Sequence, residues 1–112
     1  MKINNAQMIN MWNVFDRKYN ETNDTKVKWN ITEIAREIYE LKRRYEVHLN
    51  EIIMKYGKEK EDGNKSLTYE DKHVKELLEC ESDVKEISFE DICKLSFTFD
   101  EIMILKPILK EQ

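Results

Sequence analysis

Apolar side chains return at steps of four, three and four through Met8, Trp12, Phe15 and Tyr19. That spacing lines one face of an α-helix, and the residues just before it supply a start signal. Asn4 offers a side-chain oxygen to the orphan N–H groups of a first turn. Gln7, three residues on, can reach back to the N–H of Asn4, and Ile3 and Met8 have the spacing of a hydrophobic staple. The pattern predicts a helix over residues 5–20, stopped by the polar run NETNDT.

The same layout recurs at Trp29, Asn30, Glu33 and Ile34, with Asn30 as the cap. From there Ile31, Ile34, Ile38, Leu41, Tyr45, Leu49, Ile52 and Tyr56 follow at a mean step of about 3.6 residues. A strict heptad would put His48 in the seam where Leu49 stands, so the pattern predicts a fairly straight helix on a core, not a coiled coil. Over residues 31–56 it would be about 39 Å long, and its ends are expected to project or to meet a partner. Gly57 stands where a left-handed C-cap is wanted.

Residues 57–67 read as a charged loop with a turn at Asp62-Gly63. Thr68, with Asp71 three later, is read as the cap of a third helix over 69–81 that carries Tyr69, His73, Val74, Leu77 and Leu78. Residues 84–110 have shorter periods. Ile87 and Phe89 alternate, as do Phe97 and Phe99, which suggests brief strands. Ser88 with Asp91, and Thr98 with Glu101, have capping-box spacing, and Pro107 cannot extend a helix without losing a hydrogen bond. The expected fold is mainly α, one domain over 1–112: a helical hairpin on one long central helix, a third short helix, and an irregular or two-stranded C-terminal piece.

Composition supports this reading. Two Gly and one Pro leave little punctuation for an all-β chain. Charged residues are 38% of the chain, but the apolar positions are periodic, so it is read as folded and not disordered. The net charge of −4 is uneven. Residues 1–58 carry 11 Lys/Arg and 8 Asp/Glu, and residues 59–112 carry 8 and 15. An acidic chain argues against direct nucleic-acid binding, where phosphate contacts dominate affinity. No apolar run approaches the roughly 20 residues that cross a bilayer. Cys80 and Cys93 lack a CxxC spacing and are expected as buried free thiols in a reducing cytoplasm.

Candidate chemistry is sparse. His73 and Cys80, seven residues apart, could share a helix face as a Cys–His pair, but no oxyanion-type glycine accompanies them. With Cys93 they match no common zinc spacing, and His48 is read as a neighbour of the apolar face. Lys42, Arg43 and Arg44 fan around a helix and form no single patch. The two glycines build no phosphate loop. No catalytic residue, metal or cofactor is assigned. Trp12 and Trp29 are read as core or staple, and Tyr39, off the main stripe, as a possible contact residue. The strongest partner-facing candidate is an acidic window, Glu76, Glu79, Glu81, Asp83, Glu86, Glu90 and Asp91, broken by one base, Lys85. Such a surface suits a basic protein partner.

Three stretches, MKINNAQMINMWNVFDRKY, HLNEIIMKYGKEKEDGN and ISFEDICKLSFTFDEIMILKPIL, resemble the DUF1617 family, small proteins of unknown function in phages and prophages of Gram-positive bacteria. The shared pattern is an N-terminal helix opening on KI-N, a long charged helix running into an acidic loop, and a closing L-x-P segment. Residues 22–31 and LLECES depart from it. The resemblance implies a cytoplasmic phage accessory protein without catalytic residues. The functional expectation is a non-enzymatic protein that binds a host or phage protein, such as an inhibitor of CRISPR–Cas or other antiphage defence that works by occlusion or nucleic-acid mimicry. The alternative is a phage scaffold or tail-assembly chaperone that self-associates through the long helix.

Overall fold

The computed structural model describes residues 1–21, 23–88, 90, 92 and 97–110. Strand β1 (Lys2–Asn4) runs directly into helix α1 (Asn5–Glu21), which is followed by α2 (Thr25–Tyr56). A small antiparallel hairpin, β2 (Lys58–Glu59) and β3 (Lys65–Ser66), leads to α3 (Lys72–Glu79) and β4 (Glu81–Asp83). Helix α4 (Phe99–Leu105) and a 3₁₀ turn (Lys106–Ile108) close the described chain. The expected class, mainly helical on one long central helix, is the observed one.

The start of α1 is built as its sequence implies. Gln7 N–H donates to Asn4 Oδ1 at 2.8 Å and Asn4 N–H to Gln7 Oε1 at 2.9 Å. Ile3 and Met8 are both buried in one cluster. The pattern did not disclose that the same residues are also a strand: Lys2, Ile3 and Asn4 pair antiparallel with Asp83, Ser82 and Glu81.

Helix α2 starts a turn and a half earlier than expected. Asp24, not Asn30, is the cap, and its side chain accepts from Val27 N–H at 3.1 Å. The extension carries the apolar stripe back to Val27, which is buried with Ile31 under Phe97. Asn30 and Glu33 are therefore interior to the helix, and no second staple forms, since Trp29 is 78% exposed. At about 1.5 Å per residue, these 32 residues account for the molecule's full 48 Å length. Ile34, Ile38 and Tyr45 join Met11, Val14 and Phe15 of α1 in the main core, so the first half of the stripe is already covered by the chain itself. Gly57 ends α2 in an extended conformation (φ −69°, ψ 154°), not the left-handed one expected. Glycine is needed there for another reason. Its N–H donates to Ile53 C=O at 2.7 Å, and a Cβ would lie 2.3 Å from that oxygen.

The loop over 57–67 contains the β2–β3 hairpin, turned at Gly63 (φ +83°). Helix α3 is capped by Asp71, whose carboxylate accepts from His73 and Val74 N–H, so Thr68 is not the cap and Tyr69 lies outside the helix. The Thr98–Glu101 capping box forms as expected. Phe99 is consequently helical and exposed, not part of a strand. Phe89 and Asp91 lie outside the described residues, and with them the Ser88–Asp91 cap. The two-stranded element of the C-terminal piece is a single parallel bridge, Ile87 to Leu109.

Glu101 ties this piece to α1. It is 3% exposed and receives Arg17 and Lys18, with Lys18 Nζ at 3.3 Å from Oε1. Burial pushes its carboxyl pKa up, but the Thr98 N–H, Arg17 and Lys18 outweigh that and hold it at about 2, against an ordinary 4.5. Because the folded value is the lower one, the stabilisation is present above pH 4.5 and is lost as pH falls toward 2. It amounts to at most about 3 kcal/mol. In Glu101→Gln the unfolding free energy measured by denaturant titration should fall by about 2–3 kcal/mol at pH 7, and its dependence on pH between 4.5 and 2 should flatten. Gly57→Ala should cost about 1–3 kcal/mol in the same measurement, because the clash is with backbone.

Candidate functional site

Helix α3 and the residue that follows it flank the C-terminal turns of α2. Between them runs a cleft of about 410 Å³ lined by His48, Glu51, Ile52, Lys55 and Tyr56 of α2, by His73, Glu76 and Leu77 of α3, and by Cys80. It continues past His48, Leu77 and Cys80 into a second cavity of about 220 Å³ against Asn5, Arg44, Tyr45, Glu81 and Ser82. Both histidines and Cys80 therefore share one groove, and Cys80 is an exposed thiol, not the buried one expected, because it follows α3 at the rim of this groove. Cys93 lies outside the described residues.

The groove does not assemble the Cys–His pair that the spacing allowed. The His73 ring is stacked on Tyr56, with centroids 3.7 Å apart and planes at 10°. The Cys80 thiol turns to its own helix and donates to Glu76 C=O at 3.4 Å. His48 Nδ1 lies 3.6 Å from Glu51. Among the described residues no three His, Cys, Asp or Glu side chains converge where a metal ion could sit. No helix among them is long and apolar enough to cross a membrane.

One buried polar atom in the groove lacks a partner. The Tyr45 hydroxyl is buried without a hydrogen bond among the described residues, on a residue 6% exposed. Burial pushes its pKa up, so at neutral pH it is a protonated donor.

Beside the groove lies the acidic window. Glu76 and Glu79 sit on α3, Glu81 and Asp83 on β4, and Glu86 and Glu90 beyond it, all exposed. Asp91 lies outside the described residues. Only Glu76 of the six has an ion pair among the described residues, a 4.0 Å contact with Lys72. The base inside the window is drawn away from it. Lys85 Nζ bonds Glu33 Oε2 at 2.8 Å, and its N–H donates to Glu37 at 3.2 Å. The hydrogen bond and charge of Lys85 lower the Glu33 pKa, and Glu33 raises that of Lys85 in return. This pairing spans 52 residues, so local charge patterning could not reveal it. Arg44 donates across to Ser82 Oγ at 2.7 Å. Lys42 pairs with Glu46 at 2.7 Å and lies over the Trp12 ring, so the basic triplet fans as expected.

Tyr39 and Trp12 meet at 5.2 Å in a separate groove between α1 and α2, of about 250 Å³, which Tyr19 and Arg36 also line.

Comparisons of the chain with protein-family models, curated proteins and solved structures found no match.

Since an unsatisfied buried hydroxyl costs free energy that a phenyl ring does not, Tyr45→Phe should leave stability unchanged or raise it by up to about 1 kcal/mol, read as the midpoint of thermal or denaturant unfolding.

Proposed function

We propose that this chain is a non-enzymatic interaction protein that docks a basic surface of another protein on its acidic side. The observation that carries this reading is the row Glu79, Glu81, Asp83, Glu86 and Glu90, all exposed and without an ion pair among the described residues, with the local base Lys85 turned away to Glu33. Five exposed carboxylates within twelve residues raise the local negative potential, which steers a cationic partner and sets its orientation. The resemblance to DUF1617 phage proteins supplies the setting: an accessory protein in a bacterial host cytoplasm that occludes a basic channel of a defence system such as CRISPR–Cas. The phage-assembly reading has less support. It relied on the apolar stripe of α2, and Ile31, Ile34, Ile38 and Tyr45 are spent in the protein's own core.

Pull-down from a Gram-positive host lysate, with the wild type and with Glu79, Glu81, Asp83 and Glu86 all replaced by Lys, tests the proposal. A stoichiometric protein partner should be retained by the wild type at low salt, weakened steeply as ionic strength rises, and lost by the variant. A partner retained equally by both proteins contradicts it.

A further inference from the structure

The β1–β4 ribbon leaves one edge open. Asn5 N–H donates to Cys80 C=O at 3.1 Å, Val84 N–H to Met1 C=O at 2.8 Å, and the Met1 amino group to Val84 C=O at 3.1 Å. The C=O of Cys80 and the backbone groups of Ser82 and Val84 therefore turn toward β1. In an antiparallel pair the intervening residues turn theirs away, so the N–H and C=O of Glu81 and Asp83 face outward. Among the described residues no further strand pairs there, and no hydrogen bond reaches those groups. At the next outward position the edge is closed, because Glu37 Oε2 accepts from Lys85 N–H. The open stretch is thus two residues with four backbone hydrogen-bonding groups.

Two independent features flank it. Ile3 is buried and opposite Ser82, so the alternate residues Glu81 and Asp83 share the solvent face of the ribbon. On the other side lies the 220 Å³ cavity, where Arg44 and Tyr45 sit beside Glu81 and Ser82.

We infer that β4 is a strand-addition site for an extended, basic segment of a partner protein, paired antiparallel at Glu81 and Asp83. The inference rests on the acidic-surface reading above and adds how the partner is held. Exposed edges are recurrent templates for peptide strands, where main-chain bonds give affinity and alternate side chains give specificity. In an antiparallel hydrogen-bonded pair the residue opposite Glu81 shares its face, so Lys or Arg at alternate positions meets Glu81 and Asp83 directly. The residues between them face the cavity and are small and polar, accepting from Arg44. A second copy of this chain fits poorly, since it would set carboxylates against carboxylates.

The probe is an end-capped peptide of alternating Lys and Ser, three of each, titrated into ¹⁵N-labelled protein. The amides of Glu81 and Asp83 should shift most. N-methylation of the lysine backbone nitrogens, which keeps the charge and removes the donors facing β4, should weaken binding about tenfold. Glu81→Gln with Asp83→Asn should weaken it as well. Equal binding of the N-methylated peptide overturns strand addition while leaving the acidic-surface reading intact, and failure of every peptide to shift Glu81 and Asp83 overturns it too. Amide shifts at Glu81 and Asp83 that grow with the protein's own concentration would assign the edge to a second copy and overturn the proposal in that way.

Discussion

A buried carboxylate joins the two ends of the described chain. Taking Glu101 out of water is unfavourable unless every lone pair is met and the charge is balanced. Thr98, Arg17 and Lys18 do both. The capping box fixes where α4 begins, the ion pairs set its face against α1, and that placement brings Leu105 and Ile108 into the cluster of Met8, Met11 and Phe15. Ile87 then closes against the same segment through reciprocal backbone bonds with Ile108 and Lys110, 2.8 Å each. With the C-terminal segment seated, Val84 is held in the core and β4 is drawn along β1. The β1–β4 ribbon thus shares one core with the segment that the carboxylate docks.

Local signals were legible and distant ones were not. The α1 cap, the Thr98–Glu101 box and the stripe along α2 rest on residues three or four apart, and all three are found in the structure. The cap of α2 was misplaced because Asn30 and Asp24 both carry acceptable capping side chains, and the choice was decided by burial of Val27 beneath Phe97, seventy residues away. Gly57 was rightly singled out for the wrong reason: it allows close approach to a carbonyl, not a positive φ. The β1–β4 pairing had no pattern to announce it, since three residues per strand give too short an alternation and the strand lies inside a helix-start signal.

The candidate site shows the same division. Every described member of the acidic window is exposed, as its composition suggested. What composition could not show is that the one base among them is engaged elsewhere, or that two of the acids sit on a strand whose outward backbone groups find no partner among the described residues. Those facts turn a charged stretch into a surface with direction: a line of charge on one face, a polar cavity on the other, and main-chain donors and acceptors between. The histidines and Cys80, the residues with most chemistry in isolation, are occupied by a stacked ring, an acid and a carbonyl.

The central claim, an edge left open at Glu81 and Asp83, is tested most directly by residue-resolved amide hydrogen exchange on the protein alone at neutral pH. The N–H groups of Ser82 and Val84 should exchange slowly, and those of Glu81 and Asp83 should exchange orders of magnitude faster, because only the first pair faces β1. Comparable protection at all four amides, or none at any of them, would contradict the account.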